Sequence, residues 1–295
     1  MKILITGATG FLGSHLAHRL LTEGHELVLL KRITSDCHRI NDIMPQVTCY
    51  DSNLVKLDEL FVEQPGINVV VHAATTYGRH NESMADLCKG NTLFPLALLE
   101  SAIRNGVETF INADTSLPRM LNGYSLSKKQ FQEWGILFAH QERIRLLNVK
   151  LEHFYGAGDD DSKFTSYVIR SCLTNIPELK LTSGEQYRDF IHIDDVSAAF
   201  SLLLNSATCG QYYQNYALGS GNAVTIREFV QTVHQLTNSN TQLFFGAVPY
   251  RDNEVMASVA DTSAMKQLGW QCHYPLRKGL EMTIQQEKQV KGKNS

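Results

Sequence analysis

The chain has 295 residues, of which 43% are hydrophobic and 19% are charged, and its formal net charge is −3. This hydrophobic content at low net charge excludes a mainly disordered chain, and the slight acidic excess argues against a nucleic-acid-binding protein. No stretch of about 18 apolar residues is present, so no membrane-spanning helix is expected. The six cysteines are scattered without a Cys-x-x-Cys pair, which favours reduced thiols in the cytoplasm over disulfides or a metal site.

Short apolar runs alternate with helical patterns along the first half of the chain. The predicted strands are 2–5, 27–30, 68–72, 110–112 and 146–149, and the predicted helices are 12–21, 91–105 and 124–143. This α/β alternation predicts a Rossmann-type doubly wound parallel sheet. After about residue 155 the pattern loosens, which indicates a smaller C-terminal lobe. We expect one domain from 1–155 plus about 190–217, and the lobe from about 156–189 plus 218–295.

Three glycines join the first predicted strand to the first predicted helix. Gly7 permits a tight turn, Gly10 lets the backbone approach a pyrophosphate, and Gly13 allows close helix–strand packing. The amides at the start of the helix then face the phosphate charge. The position of these glycines between a strand and a helix predicts a dinucleotide site. Its expected cofactor-binding residues are Thr6, Gly7, Thr9, Gly10, Phe11, Leu12 and Gly13.

The residues after the second strand predict which dinucleotide binds. An NAD enzyme would place an acidic residue there for the ribose 2′-hydroxyl, whereas this chain has Lys31 and Arg32. Two cations can neutralise a 2′-phosphate, so we expect NADPH. Asp51, which lies between the predicted strands 27–30 and 68–72, fits the adenine amino group or is a turn-forming residue.

Tyr124 and Lys128 are four residues apart at the start of a predicted helix, and therefore lie on one helix face. A phenol has a pKa of about 10, and a neighbouring ammonium lowers it and can also bond the nicotinamide ribose. Thr115 ends the preceding strand and offers a hydroxyl to a substrate carbonyl, with Ser116 as the alternative. We expect Thr115, Tyr124 and Lys128 to be catalytic.

The glycine spacing G-x-x-G-x-x-G resembles that of the short-chain dehydrogenase/reductase superfamily. Other segments resemble its extended branch, which acts on nucleotide sugars: His72-Ala73-Ala74, the helix led by Asn91, Tyr187 to Asp195, and Arg251 with Ala260-Asp261 and Leu268 to Trp270. In that branch the gap from the threonine to the tyrosine is usually longer than the nine residues found here.

This resemblance implies further roles. His72, Ala73 and Ala74 are expected at the cofactor, and Arg188 and Arg251 are expected to clamp a nucleotide diphosphate, for which the planar guanidinium is suited. His153 stands where an asparagine commonly contacts the diphosphate, and it is either a ligand or a structural residue. The smaller lobe would then bind the nucleotide sugar, and two copies would pair through the helices near 91–105 and 124–143.

Six segments are similar to the CDP-sugar 4-ketoreductases of 3,6-dideoxyhexose biosynthesis, more to CDP-paratose synthases than to CDP-abequose synthases. They are 77–82, 114–118, 150–156, 163–166, 181–185 and 251–254. The resemblance implies NADPH-dependent reduction of the 4-ketone of CDP-4-keto-3,6-dideoxyglucose to CDP-paratose for the O-antigen of lipopolysaccharide. The expected substrate-binding residues are Tyr77, Arg79, His80, Thr115, Ser116, His153, Lys163, Phe164, Arg188 and Arg251.

Other functions stay open. A CDP-abequose synthase would differ only in the ketone face that receives hydride, and the donor nucleotide could be dTDP or GDP. Ser116 and Leu117 replace the acidic pair of the 4,6-dehydratases, which argues against dehydration. Epimerases retain a tightly bound NAD, whereas Lys31 and Arg32 favour an exchangeable NADPH. A non-catalytic NADP-binding regulator would not require the catalytic residues.

Overall fold

The computed structural model describes residues 1–206 and 211–293, so Cys209 lies outside the described residues. The chain divides into two compact units. The first comprises Met1–Leu151 and Ser197–Tyr216, and the second comprises Glu152–Val196 and Ala217–Ser295. Within the described part of the chain, no helix is long and apolar enough to cross a membrane.

The secondary structure alternates between strands and helices. The strands are β1 (Lys2–Thr6), β2 (Glu26–Lys31), β3 (Thr48–Asp51), β4 (Ile67–His72), β5 (Thr109–Thr115), β6 (Arg145–Leu151), β7 (His153–Tyr155), β8 (Glu178–Leu181), β9 (Tyr187–His192), β10 (Tyr213–Leu218), β11 (Ala223–Thr225) and β12 (Gln242–Phe245). The helices are α1 (Phe11–Thr22), α2 (Leu57–Glu63), α3 (Met84–Cys88), α4 (Phe94–Arg104), α5 (Gly123–His140), α6 (Phe164–Thr174), α7 (Ile193–Asn205), α8 (Ile226–Thr237), α9 (Ser263–Gln267) and α10 (Leu276–Lys293). A 3₁₀ turn covers Met44–Gln46, and a π-helical turn covers Lys89–Leu93.

A seven-stranded sheet forms the centre of the first unit, in the order β10-β6-β5-β4-β1-β2-β3. Strands β1 to β6 pair in parallel. Their apolar side chains are buried, as expected for a parallel sheet covered on both faces. The predicted doubly wound parallel sheet is confirmed. Since the strand order reverses between β1 and β4, ligands are expected at the carboxyl ends of these strands.

The five predicted strands lie within β1, β2, β4, β5 and β6, but two predicted helices have different ends. The segment 91–105 begins with the π-helical turn, and α4 starts only at Phe94. Helix α5 ends at His140 and not at residue 143, because Glu142 adopts a left-handed backbone conformation with φ 57°. A left-handed residue interrupts the helical hydrogen bonds.

The second unit contains a three-stranded sheet in the order β11-β9-β7 and a parallel pair of β12 with β8. Its core includes Phe229, Val230 and Val233 of α8 and Val168 and Ile169 of α6. The sequence pattern did not resolve these elements, because strands of three to six residues in this unit carry too short a periodic signal.

Candidate active site

The glycine loop between β1 and α1 has the geometry of a phosphate cradle. Gly7 has φ 75°, and a Cβ atom there would lie 2.5 Å from the backbone nitrogen of Ala74. A Cβ atom on Gly13 would collide with the carbonyl oxygen of Gly7. At Gly10 a Cβ atom would meet only that oxygen, at 3.3 Å, and no side chain caps the start of α1. The uncapped helix start and the space beside Gly10 fit a dinucleotide pyrophosphate.

The other residues expected at the cofactor divide into two groups. Phe11 and Leu12 begin α1, Thr9 is half-buried, and the backbone of Ala73 and Ala74 packs against Gly7. Thr6 and His72 are fully buried, and Oγ1 of Thr6 lies 2.8 Å from Nδ1 of His72. Burial holds the pKa of His72 well below its ordinary value, so the ring is neutral. Their side chains therefore contact each other across the parallel pair of β1 and β4.

An ion pair links the residues expected to select the cofactor. Nζ of Lys31 lies 2.5 Å from Oδ1 of Asp51, across the parallel pair of β2 and β3. Hydrogen bonding to this carboxylate raises the pKa of Lys31. Arg32 is exposed. Asp51 thus compensates the charge of one of the two cations, which the sequence pattern did not predict.

Helix α5 presents Tyr124 and Lys128 on one face, as predicted. The side chain of Asn122 accepts a hydrogen bond from the Ser125 amide at 2.8 Å, and this cap starts α5 at Gly123. Tyr124 therefore lies in the first turn, and Lys128 lies one turn later and is fully buried. Thr115 is buried at the carboxyl end of β5, with its hydroxyl within hydrogen-bonding reach of Tyr124.

The electrostatics of Tyr124 differ from the sequence-based expectation. Burial raises the pKa of Tyr124 well above its ordinary value, and the neighbouring Tyr77 and Asp114 raise it further. Hydrogen bonds from the hydroxyls of Thr115 and Thr75 oppose this shift only in part. The expected lowering of the Tyr124 pKa is not found, because desolvation of the phenolate outweighs the other effects. Tyr124 is consequently a neutral phenol at pH 7, the form that donates a proton.

The pKa of Lys128 is also shifted by burial. Burial lowers the pKa of Lys128 to about 8, with a further lowering by Lys129 and an opposing effect of Asp114. Lys128 is thus still mainly protonated at neutral pH, but it loses its proton within the range in which enzymes are assayed.

The loop after β4 brings an aromatic ring beside Tyr124. The ring centroids of Tyr77 and Tyr124 are 5.2 Å apart, and the guanidinium of Arg79 lies 4.7 Å over the Tyr77 ring. His80 is exposed, and its backbone N–H donates to Glu82. The structure therefore brings the ring of Tyr77 next to the candidate proton donor, whereas, among the described residues, the exposed His80 makes no ring contact with Tyr124.

Ser116, the predicted alternative to Thr115, donates its backbone N–H to the Leu151 carbonyl at 3.1 Å. Sequence reasoning missed two side chains beside Thr115, those of Asp114 and Lys129. The buried carboxylate of Asp114 binds Nζ of Lys129 at 2.6 Å. A signal was available, because Asp114 is a charged residue inside an otherwise uncharged strand, and such residues are rarely buried without a partner.

In the second unit, Arg188 is buried and already has a protein partner. Its Nη2 atom lies 2.6 Å from Oε1 of Glu254. Burial lowers the pKa of Arg188, while Glu254 and Glu152 oppose that effect. Nδ1 of His153 lies 3.6 Å from Glu152, whose two oxygens accept from the Ser258 hydroxyl at 2.8 and 2.9 Å. The resemblance did not reveal these carboxylates around the expected diphosphate ligand.

Three further residues expected at the substrate also belong to the second unit. Lys163 pairs with the buried Asp159 at 2.9 Å and lies 4.2 Å over the Phe154 ring. Phe164 begins α6 with its ring 6.0 Å from Phe229. Arg251 is exposed. Among residues 1–206 and 211–293, no three His, Cys, Asp or Glu side chains are arranged to hold a metal ion.

The chain is similar to known proteins over nearly its full length. The model of the NAD dependent epimerase/dehydratase family matches residues 3–219. A CDP-abequose synthase of Salmonella muenchen is 31% identical over 290 residues, which covers 96% of this chain and 97% of the relative. A CDP-abequose synthase of Salmonella typhimurium has the same identity, with 95% of this chain covered.

Solved structures share the fold. A UDP-glucose 4-epimerase of Thermotoga maritima, determined with UDP-glucose, superposes with a TM-score of 0.87 at 20% identity, covering 98% of this chain and 99% of that one. A Thermus thermophilus UDP-glucose 4-epimerase in complex with NAD has a TM-score of 0.83 at 22% identity, with 98% and 99% covered. The family match covers most of the sequence, and the glycine loop and the sheet agree with it. This chain belongs to the NAD dependent epimerase/dehydratase family.

Proposed function

We propose that this chain is a nucleotide-sugar 4-ketoreductase that uses NADPH to reduce CDP-4-keto-3,6-dideoxyglucose to CDP-paratose in the cytoplasm, for O-antigen synthesis. The observation that carries the proposal is the neutral, half-buried phenol of Tyr124 beside the Thr115 hydroxyl, one helical turn before the buried Lys128. Reduction of a ketone needs a proton donor at the oxygen, and a protonated phenol beside a second hydroxyl can supply that proton.

The chain's own residues account for the proton and for the orientation of the ketone. When bound, NADPH supplies the hydride that forms the new C4–H bond. Tyr124 gives its proton to the ketone oxygen, and Thr115 donates a hydrogen bond that orients that oxygen. The Lys128 ammonium stabilises the phenolate that remains until a proton from water restores Tyr124. One hydride and one proton convert the C4 ketone to a hydroxyl.

The substrate class is supported by the two Salmonella relatives, whose names give a CDP-sugar as product. In the second unit we propose Arg188 and Arg251 as diphosphate ligands, with His153, Lys163 and Phe164 also contacting the nucleotide sugar. In the first unit we propose Tyr77, Arg79 and His80 as the sugar loop. The ring of Tyr77 supplies an apolar face beside Tyr124, which suits a sugar that lacks hydroxyl groups at C3 and C6.

The choice of NADPH rests on the carboxyl end of β2. This end has Lys31 and Arg32 where an NAD enzyme would place an acidic residue. The carboxylate of Asp51 offsets part of this positive charge. The exposed Arg32 supplies a second cation for a 2′-phosphate, and Lys31 with Asp51 forms the side of the adenosine site.

The experiment is to follow the loss of NADPH absorbance after adding CDP-4-keto-3,6-dideoxyglucose, with NADH in parallel. NMR of the product then gives the orientation of the C4 hydroxyl. An equatorial hydroxyl supports CDP-paratose, whereas an axial hydroxyl gives CDP-abequose, the alternative that the names of the relatives favour. If neither cofactor is consumed, the substrate is wrong, and ketosugars linked to dTDP and GDP are assayed next.

A regulator that binds the cofactor without turnover is the alternative from another class. Tyr124→Phe separates the two, because it removes the proton donor and keeps the ring. For a reductase we expect kcat to fall by about 10²–10⁴-fold, with NADPH affinity retained. Tyr213→Phe is the matched control, since that hydroxyl bonds Gln132 at 2.7 Å in the same unit. Equal turnover of the two variants would contradict the proposed chemistry.

A further inference from the structure

A lysine next to Lys128 in the sequence connects helix α5 to the end of strand β5. Nζ of Lys129 donates to Oδ2 of Asp114 at 2.6 Å and to the backbone carbonyl of Thr115 at 2.7 Å. The Lys129 side chain is 13% exposed and that of Asp114 is fully buried. The Lys129 ammonium thus binds both Thr115, which carries the candidate carbonyl-binding hydroxyl, and Asp114, the residue before it.

The Asp114 carboxylate belongs to a buried polar network that crosses three strands. Asn148 of β6 donates from its Nδ2 atom to Oδ2 of Asp114 and to Oδ1 of Asn215, each at 3.0 Å. Its Oδ1 atom accepts from Asn112 at 2.7 Å. Removing these groups from water is unfavourable, and replacing a buried ion pair with apolar groups of similar shape is often neutral or stabilising. A role of this network in orientation is therefore worth testing beside a role in stability.

We propose that Lys129 and Asp114 are positioning residues that hold the Thr115 hydroxyl and the Tyr124 phenol in a common orientation toward the ketone oxygen. Lys129 achieves this because it lies on the helix that carries Tyr124 and binds the carbonyl of Thr115. The hydroxyl of Thr115 is constrained further by the Leu117 backbone N–H, which donates to it at 3.2 Å. This inference rests on the proposed reductase chemistry and extends it to residues that do not touch the substrate.

The charges around Lys128 agree with this arrangement. Lys128 faces Asp114 of β5, Lys129 of α5 and His72 of β4. His72 is neutral, so Asp114 is the negative group that offsets the repulsion between the two lysines. Lys129 pairs with Asp114 directly, so its ammonium is compensated although it follows Lys128 in the chain.

The test is a double-mutant cycle between Lys129→Met and Thr115→Val, measured with whichever nucleotide ketosugar the unmodified chain reduces. If Lys129 acts by orienting Thr115, Lys129→Met lowers kcat by about 10–100-fold with little change in KM. In the Thr115→Val background the same change then has no further effect on kcat. Losses that multiply, or an unchanged kcat in the single variant, overturn the proposal.

Two controls separate positioning from folding. At the amino ends of β5 and β6, Arg145 donates a hydrogen bond to the Thr109 hydroxyl at 3.1 Å. Arg145→Met removes this contact, far along the strands from Thr115, and should leave kcat unchanged. The combined variant Asp114→Asn/Lys129→Met removes both charges of the pair and so avoids the buried carboxylate that Lys129→Met alone would leave without its lysine, which keeps the cycle measurable if Lys129→Met alone fails to fold.

A substrate-independent measurement distinguishes failure of this inference from failure of the proposed function. Hydrogen exchange of the Ser116 and Leu117 amides should accelerate in Lys129→Met, while exchange in β1 stays unchanged. Unchanged exchange at these two amides refutes the tether even if no ketosugar is reduced. Faster exchange together with an inactive unmodified chain counts against the substrate and supports the tether.

Discussion

Nη2 of Arg188 lies 2.6 Å from Oε1 of Glu254, so an arginine proposed to bind a diphosphate already binds a carboxylate of the same unit. The second nitrogen, Nη1, donates to the Tyr187 carbonyl at 2.8 Å. Both terminal nitrogens of the Arg188 guanidinium therefore donate to acceptors of the same unit. A diphosphate would compete with Glu254 for a cation that has little exposed surface.

Glu254→Gln should therefore increase the affinity for CDP. The amide keeps the shape of the side chain but removes the negative charge that competes with phosphate, and we expect Kd to fall by about 3–10-fold. Isothermal titration calorimetry measures this directly. The matched control is Glu281→Gln, which removes the carboxylate of an exposed pair with Arg277. Weaker CDP binding in Glu254→Gln would show that Glu254 is needed to orient Arg188.

The pH dependence of activity should report the proton on Lys128. Burial lowers the pKa of Lys128 to about 8, so the ammonium is present below this pH and is lost above it. Since the charged form stabilises the phenolate of Tyr124, we expect kcat to fall as pH rises through about 8. In Lys128→Arg the cation persists to high pH, and this alkaline decrease should disappear. A decrease at the same pH in both proteins would assign it to another group.

The preference for NADPH over NADH should increase when Lys31 loses its carboxylate partner. In Asp51→Asn the ammonium keeps its position but loses its compensating carboxylate. We expect the ratio of kcat/KM for NADPH to that for NADH to rise by about 10-fold, because the 2′-phosphate then meets a net positive site. Asp58→Asn, which breaks the exposed pair with Arg104, should leave this ratio unchanged. A lower ratio in Asp51→Asn would mean that Asp51 orients Lys31 for the phosphate.

The proposed homodimer can be tested on helix α5. Trp134 and Leu137 are 45% and 46% exposed, and their spacing of three residues places them on one face of the helix. Trp134→Glu would bury a charge in the pair of helices, so sedimentation velocity should show a monomer. Tyr167→Glu on α6 is the control, because that residue is 47% exposed in the second unit. Identical sedimentation of both variants would exclude an interface through Trp134.

The sequence alone was enough to predict the parallel sheet and those residues whose roles depend on neighbours a few positions away in the chain. Apolar runs and helical periodicity were enough to predict five of the parallel strands, because each signal lies within a few residues. The turn at Gly7 and the packing at Gly13 followed from the same short segment. The common face of Tyr124 and Lys128 followed from a spacing of one helical turn.

Tertiary structure decided which charged residues of the candidate site have an oppositely charged partner and which are exposed to solvent. Lys129 binds Asp114 across 15 positions, Lys31 binds Asp51 across 20, and Arg188 binds Glu254 across 66. No local pattern encodes such partners, because they depend on strand register and on how helices pack on the sheet. The pKa of Tyr124 also depends on the tertiary structure, because desolvation by burial exceeds the lowering by the hydroxyls of Thr115 and Thr75.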